Sequence, residues 1–70
     1  MEKIKVSMLI QGILWVIKPV RDDVISDMEF LHPDISIEEK ADKYVISGSY
    51  EDLYKCLHIL IDNFDIEFIR

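Results

Sequence analysis

A single cysteine, Cys56, rules out an internal disulfide, so no covalent staple supports this chain. One unpaired thiol fits a reducing compartment, and an intracellular location, cytoplasmic or nuclear, is the expectation. Only two glycines occur, Gly12 and Gly48, far apart, so no glycine-rich loop is available to cradle a phosphate. Two prolines and a half-apolar composition are incompatible with the low hydrophobicity of disordered chains. There is no basic run. Lys3, Lys5, Lys18, Arg21, Lys40, Lys43, Lys55 and Arg70 stand singly against 14 acidic residues, for a net charge of −6. That balance disfavours a phosphate-backbone ligand, which wants a basic stripe. Nor is there a long apolar run. Met8 to Ile17 is broken by Gln11 and Gly12, falls short of the roughly 20 residues a membrane-spanning helix needs, and has no small-residue cleavage site before Lys18 and Pro19. No membrane association is expected.

What is present is secondary-structure patterning. Residues 3–10 alternate, with Ile4, Val6, Met8 and Ile10 on one face and Lys3, Lys5 and Ser7 on the other, a period-two strand signal. The apolar run to Ile17 reads as the continuation of that strand, either covered on both sides or bent at Gly12 through a bulge, with a short helix over 11–18 as the competing reading. Pro19 offers a helix start, Asp22 and Asp23 complement the positive end of the helix dipole, and Val20, Val24, Met28 and Leu31 form one stripe. Pro33 stops that helix near Leu31 or His32.

Ile35 to Glu38 alternates, residues 39–42 turn, and Lys43 to Ser47 returns as a strand. Tyr50 to Phe64 follows as a helix, with Ser49 as N-cap and Asp52 three residues later. Leu53, Leu57, Leu60, Ile61 and Phe64 fall within an arc of about 100°. Asn63 is expected to close the helix in a left-handed conformation, and residues 65–69 alternate as an edge or closing strand.

The order is therefore β-α-β-β-α-β within one domain, residues 1–70. The fold class is α+β: a small antiparallel sheet of three to four strands with two helices on one face. The expected core is Ile4, Val6, Met8, Val24, Met28, Leu31, Ile37, Ile46, Leu53, Leu57, Leu60, Ile61, Phe64 and Phe68.

Catalytic chemistry finds no foothold. Cys56 sits mid-helix, away from the cationic surroundings that activate a thiol, and is expected at the edge of the core. His32 suits a helix end and His58 a solvated flank, and neither stands in a Cys/His motif of zinc-ligand spacing. The carboxylate pairs Asp22-Asp23, Glu38-Glu39 and Glu51-Asp52 diverge, because adjacent side chains point about 100° apart on a helix and to opposite faces on a strand. Asp62 and Asp65 straddle a helix end as solvated surface. No enzyme activity, metal or cofactor is expected. The informative residues are apolar ones outside the core stripes: Trp15, Phe30 and Ile59. In a small acidic domain with surplus apolar content they point to a protein–protein contact or self-association.

Residues 43–53, Lys-Tyr-Val-Ile-Ser-Gly-Ser-Tyr-Glu-Asp-Leu, within the Ile35–Phe64 segment, resemble the closing half of a KH-like module. They are similar in particular to the degenerate KH-like and RRM-like assembly modules of Deltex-like ubiquitin ligases and their poly-ADP-ribose polymerase partners. The resemblance covers the N-terminal thirty residues only by strand and helix order. It implies an assembly role, without the Gly-x-x-Gly loop that clamps nucleic acid in KH modules.

The expected function is thus a non-enzymatic protein-interaction or oligomerisation module. The alternative is a single-stranded nucleic-acid binder using the open sheet face, with Lys3, Lys5 and Lys43 supplying charge and Tyr44 a stacking platform. A small acidic mimic of nucleic acid is a third possibility.

Overall fold

The computed structural model describes residues 2–9 and 12–69. Ile10, which the alternation assigns to the apolar face of the first strand, and Gln11 lie outside them. Seven elements follow in order: β1 (Lys3–Leu9), β2 (Ile13–Ile17), α1 (Asp22–Leu31), β3 (Ser36–Glu39), β4 (Lys43–Ser47), α2 (Tyr50–Asn63) and β5 (Asp65–Phe68). The strands form one sheet in the spatial order β3-β4-β2-β1-β5.

The α+β class and the two helices agree with the sequence pattern, whereas the strand count and order do not. The apolar run after Leu9 is neither a bent continuation nor a helix. Gly12, at φ +71, lets the chain reverse, and β2 returns antiparallel to β1 with Val6 opposite Val16 and Leu9 opposite Ile13. The order is therefore β-β-α-β-β-α-β, with five strands. The sheet is mixed, because β5 lies parallel to β1, Lys3 opposite Asp65 and Val6 opposite Phe68. Period-two alternation carries no strand direction, so residues 65–69 could not reveal this.

Both helices cover the same sheet face, and their inward side chains share one core with it. Ile4, Val6, Leu14, Val16, Tyr44 and Ile46 rise from the sheet, and Val24, Ile25, Met28, Leu53, Cys56, Leu57 and Leu60 descend from the helices. Leu14, Val16, Ile25, Ile35, Tyr44 and Cys56 extend the expected core. Met8 and Ile37 only border it. Leu31, Ile61 and Phe68 are corrections, exposed at 57%, 44% and 59%. Leu31 ends the last turn of α1. Ile61 lies at the rim of the α2 arc, and Phe68 projects from a strand with a neighbour on one side only.

Helix boundaries shift for local reasons. α1 begins at Asp22, after Arg21, so Pro19 stays in the link from β2, and Asp22 and Asp23 occupy the first turn. The start of α2 is as expected, since the Asp52 backbone N–H donates to Ser49 Oγ at 3.2 Å. Its end is not, as no non-glycine residue among those described has positive φ. Asn63 instead donates its side-chain amide to the Ile59 carbonyl at 2.8 Å, and the chain leaves through an extended Phe64.

Candidate functional site

The sheet face not covered by helices carries Ile13, Trp15 and Ile17 from β2, Val45 from β4, and Lys3, Lys5 and Lys43, as strand alternation and register require. The three lysines expected to share this face do so. Lys43 Nζ lies 4.8 Å from the centre of the Trp15 ring and 3.4 Å from Asp42 Oδ1. Asp65 and Glu67 of β5 stand in register with Lys3 and Lys5, so the face is mixed in charge.

Tyr44 does not join them. It points to the helix face and is buried, and its hydroxyl donates to Asp22 Oδ1 at 2.6 Å. A strand delivers successive side chains to opposite faces, so Lys43 and Tyr44 could not both lie on the open one. The hydrogen bond to Asp22, then burial, then the charges of Asp22 and Glu39 push the Tyr44 phenol up to about 12. Protonated Tyr44 therefore favours the fold. This contribution is complete below the ordinary phenol value near 10 and disappears as pH climbs through 12. The stability advantage of the native protein over Tyr44→Phe should hold steady to pH 10 and shrink between pH 10 and 12, as read by thermal melts. An advantage independent of pH across that window would show that the bond to Asp22 does not hold the proton.

One of the three singled-out apolar residues, Ile59, also needs relocating. Ile59 points away from Phe64 around α2, but that flank faces α1, and Ile59 is only partly exposed. Arg21 Nη2 donates to Asn63 Oδ1 at 3.3 Å on the same flank, fastening the start of α1 to the end of α2. Cys56 beside it is fully buried in the core, rather than at its edge, and burial followed by the charge of Asp52 pushes its thiol up to about 11. It is a packing residue. Phe30 is exposed at 85%, on the outer side of α1 about 160° around from Met28. Trp15 is half-covered among its strand neighbours.

The residues that do converge were assigned to the core or passed over. Along the flank of α2 opposite to α1, Tyr50, Tyr54 and Ile61 are exposed at helical spacing. Ile61, Phe64, Asp65, Ile66 and Phe68 line one open groove between α2 and β5. The groove borders one of the two edges of the sheet, because β5 pairs with β1 alone, as β3 does with β4 at the other. The backbone N–H groups of Asp65 and Ile69 donate to Glu2 and Val6 of the β1 segment, both at 2.8 Å. Parallel pairing turns alternate residues the opposite way, so Ile66 and Phe68 present their N–H and C=O groups outward. The signal in sequence was the pair of tyrosines four apart, Tyr50 and Tyr54, on the same side of α2 as Ile61.

No protein-family model, curated protein or solved structure matches the chain. No helix among the described residues is long and apolar enough to cross a membrane.

Proposed function

We propose that this chain is a non-enzymatic protein-interaction module that receives an extended partner segment on the free edge of β5. The observation that carries this reading is the coincidence of two unfinished surfaces. The outward backbone groups of Ile66 and Phe68 want strand partners, and the exposed side chains of Ile61 and Phe68 beside them want apolar cover. Edge addition uses both, since main-chain bonds supply affinity and alternate side chains supply specificity. An exposed strand edge that is neither covered nor paired is otherwise an aggregation hazard. The likeness of residues 43–53 to KH-like assembly modules points the same way.

A peptide library panned against the folded protein tests this reading. Enriched peptides should bind the native protein and lose at least about tenfold in affinity to Phe68→Ser and Ile61→Ser, because a buried large side chain contributes roughly 1.5–3 kcal/mol. Both residues are exposed, so the variants keep the fold. Peptides indifferent to both substitutions would place the contact elsewhere.

One observation favours a second reading, single-stranded nucleic acid on the open face: Trp15 and the three lysines lie there together. Trp15 is the sole tryptophan, so its fluorescence would report a stacking base directly. Quenching by a short oligonucleotide that weakens with salt would support this reading.

A further inference from the structure

Building on the proposed edge addition, we infer that the docking segment belongs to another protein and alternates basic with large apolar residues. Strand addition places each incoming side chain on the same face as the β5 residue it opposes. Positions opposite Ile66 and Phe68 therefore fall on the helix side, at the groove that Ile61 and Phe68 leave open. Positions opposite Asp65 and Glu67 fall on the open face beside two exposed carboxylates. The ion pairs formed among the described residues, Lys18–Glu39, Arg21–Asp23, Lys40–Glu38, Lys43–Asp42 and Lys55–Glu51, engage neither of these carboxylates. Their nearest strand neighbours on that face are Lys3 and Lys5, on the side away from the free edge. A cation arriving from the free edge meets Asp65 and Glu67 first.

The same geometry argues against a second copy of this chain. Antiparallel pairing of two β5 edges about a two-fold axis must keep the faces matched. Centred on Ile66, it sets Asp65 against the Glu67 of the other copy. Centred on Glu67, it sets that carboxylate against itself. Directly opposed like charges destabilise a strand pair, and each copy already carries −6.

Two capped eight-residue peptides separate the possibilities, one alternating lysine with valine and one alternating glutamate with valine. Each is titrated into the isotope-labelled protein at low salt and followed by amide chemical shifts. The lysine peptide should move the Ile66 and Phe68 amides and bind about tenfold tighter than the glutamate peptide, a gap that narrows in high salt. The doubly substituted Asp65→Asn, Glu67→Gln protein should bind both peptides alike. Equal binding of both peptides to the native edge would overturn the charge inference while leaving edge addition standing. If neither peptide moves those amides, both the charge inference and edge addition fall. A concentration-dependent dimer with the β5 amides protected from exchange would make the occupant a second copy and overturn the inference too.

Discussion

Phe64→Ala should leave this protein without a cooperative unfolding transition at room temperature. Phe64 is among the largest fully buried side chains, 2% exposed, and it stands where three elements meet. Its backbone N–H closes α2 on the Leu60 carbonyl at 2.8 Å, its extended backbone starts the path into β5, and its ring lies 5.3 Å beneath the Arg21 guanidinium that precedes α1. Removing a buried phenylalanine ring costs about 3–5 kcal/mol in transfer and cavity terms. A core in a domain of this length supplies only about 3–5 kcal/mol in total. The loss equals the reserve. Urea titration followed by circular dichroism should show a sloping baseline for Phe64→Ala and a sigmoid for the native protein. Phe64→Leu, which keeps most of the volume, should retain a transition at lower urea. A Phe64→Ala midpoint close to native would mean that the junction of α2, β5 and α1 is held by something other than this ring.

The residues around Phe64 also show what patterning reveals and what it does not. Leu53, Leu57, Leu60 and Phe64 recur at helical spacing with a serine cap before them, so α2 and its buried face were legible. The hairpin of β3 and β4 was legible for the same kind of reason: two alternating runs with a polar turn between them. Ile61 was misassigned because a 100° arc states only which residues point roughly inward. Whether the rim of that arc is covered depends on the neighbour, and here α1 covers the Ile59 flank while no element among the described residues covers the Ile61 flank. The two residues exchange the roles their spacing suggests. Phe68 fails similarly. Its alternation is correct and it does face the helices, but an edge strand lacks the outer neighbour that would complete its burial.

The candidate site is legible in its chemistry, that of a small acidic domain with surplus apolar side chains, and in part in residues 65–69 as an edge or closing strand. Its location depends on β5 being an edge, and that follows from β1 pairing with β2 on its other side. The sheet order cannot be read while the run after Leu9 counts as one strand. The error in the fold and the error in the site have a single origin at Gly12.

Gly12→Ala tests that origin directly. At φ +71 an L-residue with a Cβ is strained, by about 1–2 kcal/mol. A Cβ there would also lie 2.7 Å from the Gly48 carbonyl oxygen, a backbone atom that cannot rotate aside. The hairpin tip or the exit of β4 must shift, and the bond from Gly48 N–H to the Gly12 carbonyl, 3.2 Å long, goes with it. A lost hydrogen bond adds about 0.5–1.5 kcal/mol, so the combined expectation is roughly 1.5–3.5 kcal/mol. Gly12→Asn separates the two causes, because asparagine tolerates the left-handed region yet carries the same Cβ. If backbone conformation dominates, Gly12→Asn should recover much of the loss in a urea titration. If the approach to Gly48 dominates, the two variants should be equally unstable. If both unfold within about 0.5 kcal/mol of the native protein, the ordinary range for an unremarkable surface substitution, then Gly12 does not reverse the chain against Gly48. β2 would lose its place between β1 and β4, and β5 its place at the edge.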